Sequence, residues 1–199
     1  MNRPSFVSRI SLLLVAFLIM GAGPSTVGLP VAFHGNVASQ ETLESEDKVV
    51  ILVRHAEKCE EPEDNPGLTP LGRERATAFV RVMTDVDVDA IYSTPFERTL
   101  DTVRPLADER GLDIIQTPIR SGFLQAMVES IKVSEAGTII VSGHSNTTPR
   151  VVNLLAGTSY PDLDESEYDR LYVVHLPAEG MPRVTILRYG PPSGSVEAC

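Results

Sequence analysis

Positive charge is scarce in this chain of 199 residues: 17 Lys and Arg stand against 27 Asp and Glu, a formal net charge of −10. Such a balance excludes nucleic acid or anionic lipid as a general partner, because both recruit basic surfaces. Any cluster of arginines in so acidic a protein is held there for a local reason. Tryptophan is absent and aromatics make up only 6%, while 42% of residues are apolar, as expected of one globular domain with a single core. No internal repeat is present beyond the strand endings described below.

A long hydrophobic run is also missing. The main apolar run, ISLLLVAFLIMGAG, begins at Ile10 and has about fourteen residues, against the roughly 20 that cross a bilayer. It follows Arg3 and Arg9 and runs into small residues, which reads as an export signal over residues 1–40, cut near Val37-Ala38-Ser39. The protein is then expected in the periplasm or outside the cell, with no stable membrane span after cleavage. The alternative is an uncleaved segment that anchors it to the membrane. No cysteine closely follows the apolar run, which argues against a lipid anchor. Loss of residues 1–40 removes two arginines and no acid, so 15 basic residues face 27 acidic ones and the charge becomes −12. Cysteine is limited to Cys59 and Cys199, the candidates for one disulfide in an exported protein.

From residue 48 onward the pattern alternates. KVVILV (48–53) is a β-branched, near-continuous apolar run, as in a strand covered on both faces. CEEPEDNPG (59–67) is an acidic loop. Thr69-Pro70 supplies an N-cap and a first-turn proline for a helix ending near Asp85. DAIYS (89–93) is a second strand, and Pro95 opens a helix that stops at Gly111. LDIIQT (112–117) is a third strand, residues 122–135 a third helix, TIIVSG (138–143) a fourth strand, and Thr147 to Ala156 a fourth helix. RLYVVHLP (170–177) and RVTILRYG (183–190) are two final strands, expected to be antiparallel. The fold class is α/β: three layers, a mostly parallel sheet with helices on both faces. The domain spans 41–190, and 191–199 is an irregular tail.

Two of the apolar runs end on histidine. ILVRHAEK delivers Arg54 and His55, and TIIVSGHSNT delivers His144. Between them, STPFERT brings Arg98 to the first turn of a helix. Ligands of open parallel sheets bind beyond the carboxyl ends of the strands, so two arginines, two histidines and helix amino termini converge on one rim. Guanidinium forks match phosphate oxygens, and helix amides add partial positive charge. Neutral imidazole is a nucleophile toward phosphorus, and a second histidine can hydrogen-bond the phosphoryl oxygens as charge builds. The residues alone therefore describe an anion site suited to phosphoryl transfer.

LVRHAEK, NPGLTPLGRERA, IYSTPFERTLDT and IIVSGHSNT, in this order, resemble the histidine phosphatase superfamily, in its phosphoglycerate-mutase-like branch. The resemblance covers nearly all of residues 48–176. It implies that His55 is the nucleophile that becomes phosphohistidine and that Arg54, Arg98 and His144 form the phosphate pocket. It implies a phosphatase acting on a small phosphorylated substrate, with no metal and no cofactor. A mutase is less expected, since a short chain without a lid insertion lets water reach the phosphoenzyme. Envelope phosphosugars suit an exported member.

The chain departs from the family pattern in two places. Ala56 stands where glycine is commoner. Many members place a proton-donating Glu after the third strand, where this chain reads TPIRSGFLQ with no carboxylate. Small bacterial phosphohistidine phosphatases of the superfamily share that absence. Glu57 and Asp101 are the candidate proton donors, with Glu129 a weaker one. Two rival readings use the same residues. Gly143-His144-Ser145-Asn146-Thr147 approaches the G-x-S-x-G turn of serine hydrolases, with Ser145 attacking and His175 the only later histidine. A non-catalytic phosphate-binding module on the same fold leaves the nucleophile His55 unexplained. His175 inside its strand reads as structural, and Arg150 as helix surface.

Overall fold

The computed structural model describes residues 47–193 and Cys199. The export segment expected over residues 1–40 lies outside them. Six strands and four helices alternate as β1 (Lys48–Arg54), α1 (Pro70–Val82), β2 (Ala90–Ser93), α2 (Glu97–Arg110), β3 (Ile114–Gln116), α3 (Phe123–Val133), β4 (Thr138–Gly143), α4 (Thr147–Ala156), β5 (Arg170–Leu176) and β6 (Arg183–Arg188). One sheet holds all six strands, in the order β3-β2-β4-β1-β5-β6. β1, β2, β3 and β4 are mutually parallel. β5 runs antiparallel to both β1 and β6, so the final pair is antiparallel as its sequence suggests.

The pleat of β1 explains its unbroken apolar sequence. Val50 and Leu52 point to one side, into a cluster with Met127 and Ile131 of α3 and Val151, Val152 and Leu155 of α4. Ile51 and Val53 point to the other, against Phe79 of α1 and Val103 and Leu106 of α2. A strand flanked by β4 and β5 and covered on both faces has no solvent side, so polar residues are confined to its ends. That restriction concentrates Arg54 and His55 at the carboxyl end.

Helix boundaries follow local chemistry. Thr69 caps α1, its Oγ1 accepting from the Gly72 amide at 3.0 Å, and Pro70 fills the first turn. α2 begins at Glu97, two residues after Pro95; its cap, Phe96, makes no side-chain bond. Gly111 and Gly157 end α2 and α4 in the left-handed conformation. None of the helices among the described residues is long and apolar enough to cross a membrane.

Candidate active site

The Arg54-His55 turn is pinned from two sides. The His55 amide donates to Gly143 O at 2.9 Å, which ties the turn to the end of β4. The Ala56 amide donates to Thr102 Oγ1 at 2.8 Å, which ties it to α2. His55 is 4% exposed, and its Nδ1 lies 2.8 Å from Ala56 O. A carbonyl only accepts, so Nδ1 carries the proton and Nε2 keeps its lone pair. Burial lowers the His55 pKa well below its ordinary 6.5. The Ala56 hydrogen bond opposes this, and the charges of Arg54, His144 and Arg98 reinforce it. The result at neutral pH is an uncharged imidazole with a free ring nitrogen.

His144 follows β4, and its ring centroid lies 5.5 Å from that of His55. Its Nε2 is 3.0 Å from Thr94 Oγ1, a hydroxyl that in turn meets Thr99 Oγ1 at 2.8 Å. Burial, and then the Arg98 and Arg54 charges, lower its pKa to about 4, with Glu165 acting in the opposite sense. Arg98 enters from the first turn of α2. Its Cζ sits 4.4 Å over the Phe96 ring centroid, and its Nε is buried with no hydrogen-bond partner. Burial is also what lowers the pKa of this guanidinium. A half-buried cation without a counter-charge is a standing demand for an anion.

Arg54, 1% exposed, reaches toward the loop before β5. Its Nη1 donates to the carbonyls of Asp164, Glu165 and Glu167 at 2.9, 2.9 and 3.0 Å. Its Nη2 meets Glu165 Oε2 at 2.6 Å, and its Cζ lies 4.1 Å over the Tyr168 ring. The other carboxylate oxygen of Glu165 accepts from Ser145 Oγ at 2.6 Å. A cavity of about 470 Å³ opens beside His144 and Arg98, with Phe96, Ile119, Phe123 and Leu163 as apolar walls and Ser145, Asp162 and Glu165 at its polar side.

The four residues read as a phosphate pocket thus lie on one rim, but the two candidate proton donors do not line the cavity. Glu57 is buried and directs both oxygens to Arg75, at 2.6–3.2 Å. Its role is structural, because both of its oxygens are engaged by the buried guanidinium and turned away from the cavity. Asp101 faces away along α2, accepting from Arg104 Nε at 3.1 Å and lying near Gly67. Glu129 pairs at the surface with Lys132. The serine-hydrolase geometry is not assembled. Ser145 Oγ is bound to a carboxylate, and His175 pairs with Asp47 in register with Val49, at the opposite end of the sheet. Arg150 is exposed on α4 and pairs with Asp162. Cys59 and Cys199 are joined by a disulfide, with Cα atoms 5.7 Å apart. No group of three or more potential metal ligands occurs among the described residues.

Sequence reasoning missed Glu165, Tyr168, Thr94 and Thr102. Thr94 and Thr102 lie inside the STPFERTLDT stretch, and their spacing around Arg98 is the signal available for them. Glu165 and Tyr168 sit in DLDESEYD (162–169), which has the composition of an ordinary solvated loop.

Comparison with known proteins agrees with this geometry. The model of the histidine phosphatase superfamily (branch 1) matches residues 50–119, from β1 through the start of the loop after β3. A 2,3-bisphosphoglycerate-dependent phosphoglycerate mutase of Thermoplasma acidophilum is 27% identical over 133 residues, 62% of this chain; the match spans 60% of that relative's length. Among solved structures, the protein histidine phosphatase SixA complexed with tungstate superposes with a TM-score of 0.59 at 16% identity, over 70% of this chain and 96% of that one. A mycobacterial glucosyl-3-phosphoglycerate phosphatase superposes with a TM-score of 0.51 at 12% identity, over 74% of this chain and all of that one. These structures share the fold, and the stretch that resembles the histidine phosphatase superfamily carries the Arg54-His55 turn and Arg98 on that fold.

Proposed function

We propose that the protein is a phosphatase that hydrolyses phosphomonoesters through a phosphohistidine on His55. The observation that carries this reading is the state of His55: Nδ1 is committed to Ala56 O, and Nε2 is unprotonated on the rim shared with Arg54, Arg98 and His144. In the forward step His55 Nε2 bonds to phosphorus as the bond to the leaving oxygen breaks. The guanidinium groups hold the non-bridging oxygens, and His144 meets the charge that gathers on them. Water then attacks the phosphoryl group, orthophosphate leaves, and His55 is restored. Two similar folds belong to proteins named as phosphatases, and one of these is a complex with tungstate, an oxyanion, which is in keeping with a phosphorylated substrate here. The similar protein named as a phosphoglycerate mutase also acts on a phosphorylated small molecule. Hydrolysis is favoured because, among the described residues, no helix or strand is inserted between the strand–helix units that bring Arg54, Arg98 and His144 to the rim.

The proposal extends to export. Residues 1–40 have the layout of a cleaved signal, and a disulfide suits an oxidising compartment. Mass spectrometry of envelope and secreted fractions is expected to find a mature start near residues 38–42; a protein retaining Met1 in the cytoplasm would reject this part. For the chemistry, His55→Ala is expected to abolish turnover of an aryl phosphate, and acid-labile, base-stable label from a brief reaction is expected on His55. Ser145→Ala is expected to retain measurable turnover. The reverse pattern, with aryl-ester hydrolysis, would hand the site to a serine hydrolase.

A further inference from the structure

Alkyl leaving groups are strongly basic, and a phosphatase that releases them quickly supplies a proton to the departing oxygen. Two carboxylates line the cavity, Asp162 and Glu165. Both oxygens of Asp162 are taken by Arg150, at 3.2 and 2.7 Å. Glu165 is placed differently: one oxygen rests on Arg54 Nη2 and the other on Ser145 Oγ, at the junction between the phosphate pocket and the cavity. Building on the phosphatase reading, we propose that Glu165 donates the proton to the leaving oxygen when phospho-His55 forms and accepts one from water when it is hydrolysed.

The bonding of Arg54 carries the argument. Its Nη1 is consumed by three main-chain carbonyls, so Nη2 and the buried, unpartnered Nε are the donors left to meet an anion, and Glu165 Oε2 occupies Nη2. A carboxylate oxygen there stands in for a phosphoryl oxygen of bound substrate. A phosphate dianion that captures Nη2 displaces the carboxylate by a short distance while Ser145 still holds its other oxygen. A carboxylate left against a dianion takes up a proton, because the charged forms repel. Binding therefore loads the acid beside the bond to be broken. The side chain of Glu165 is 81% exposed, so it exchanges protons with water between steps.

The steps balance. The phosphorus–oxygen bond breaks and the phosphorus–nitrogen bond to His55 Nε2 forms. The Glu165 proton moves to the leaving oxygen, and a neutral alcohol departs from a carboxylate and a phosphoimidazolium. In the second half, water forms the new phosphorus–oxygen bond and passes one proton to Glu165. The phosphorus–nitrogen bond breaks, its electron pair returns to Nε2, and hydrogen phosphate leaves.

The test compares 4-nitrophenyl phosphate with a simple alkyl phosphate in wild type and Glu165→Gln, using kcat/KM, which reports steps up to phospho-His55. The amide keeps a carbonyl for one of the two hydrogen bonds but has no acid to give. The kcat/KM for the alkyl phosphate is expected to fall by about 10²–10³, so that the nitrophenyl-to-alkyl ratio rises at least about thirtyfold. Formate added to Glu165→Ala is expected to restore part of the alkyl rate. Equal losses on both substrates would reduce Glu165 to an anchor for its loop and overturn the proposal. A gain on both would make it a mere competitor for Arg54 and overturn it as well. If His55→Ala retains wild-type turnover, or wild type hydrolyses neither substrate, the phosphatase reading itself fails and takes this one with it.

Discussion

Glu57 and Arg75 face each other in a two-pronged ion pair from which water is excluded: Arg75 is 0% and Glu57 5% exposed, and three contacts fall between 2.6 and 3.2 Å. One partner follows His55 in LVRHAEK, and the other sits on α1 within GLTPLGRERA. Arg75 Nη1 also donates to Tyr189 O at 2.9 Å, so the pair links the His55 loop, α1 and the chain beyond β6. Removing one member leaves a buried charge without its partner, which typically costs about 3–5 kcal/mol. Arg75→Ala is therefore expected to lower the urea midpoint strongly, and Arg75→Met less, since the second variant refills the volume. A loss under about 1 kcal/mol for Arg75→Ala would contradict the burial of this pair.

Gly72 is the reason this pair can form so close to the site. A Cβ built there would overlap the Glu57 carbonyl oxygen, an atom already accepting from the Thr69 amide at 2.9 Å. The neighbour is backbone and cannot rotate away. Gly72→Ala is expected to destabilise by about 1–3 kcal/mol, as overpacking does, and to lower kcat by shifting the loop that carries His55. A crystal structure of the variant with residues 55–58 unmoved would be inconsistent with this account.

The two histidines set the pH response. Both have pKa values held below 6.5 by burial first, so in the folded chain each is uncharged at neutral pH. Protonating His55 removes its lone pair, so kcat/KM, corrected for ionisation of the substrate, is expected to stay level down to about pH 6.5 and to fall only below it. For stability, the unfolded chain takes up the His144 proton near 6.5 and the folded chain near 4. The stabilisation present above 6.5 is therefore lost as pH falls from 6.5 to 4, by an amount on the order of 3 kcal/mol. His144→Gln is expected to flatten the wild-type decline of unfolding free energy across that window; parallel curves would refute the assignment.

The disulfide between Cys59 and Cys199 encloses nearly the whole domain, with a sequence separation of 140. On the chain-entropy account a loop of this size is worth roughly 5 kcal/mol. Reduction, or Cys199→Ser, is expected to lower Tm by about 10–20 °C for a domain of this length. Thiol titration of the denatured, unreduced protein is expected to find none free. Two reactive thiols per chain would remove the bond from the account.

Much of this was legible in the sequence, for identifiable reasons. β1 and β4 are apolar on both faces, so their ends stand out, and Arg54, His55 and His144 were readable there. Arg98 was readable because Pro95 marks the start of its helix. The order of the strands was not, since the pairings of β1 with β4 and β5 join segments some 90 and 120 residues away that share only apolar character. Glu57 was misread as a candidate acid because adjacency to His55 in sequence says nothing about the side on which Arg75 waits. Glu165 was invisible because it acts through a fold contact made 111 residues from Arg54.

β5 is the one strand that runs against the rest, and Leu171 near its start pairs with Val53 near the end of β1. Three strands reach the rim with their last residues, whereas β5 reaches it with its first. The connection entering β5, residues 157–169, is thereby delivered onto the same rim as the nucleophile, though it belongs to none of the strand–helix turns that build the pocket. It is tied to the rim through Arg54, Ser145 and Arg150, and to the sheet through Glu167 and Asp169, which pair with Arg170 of β5 and Arg188 of β6. On the reading proposed above, the imidazole and the proton donor therefore ride on separate pieces of chain: His55 on the turn after β1, Glu165 on this connection. The turn after β1 is pinned to β4 and α2 through main-chain amides, whereas Glu165 is held by side chains alone, so a change in this connection would be felt at the proposed proton transfer before it is felt at His55.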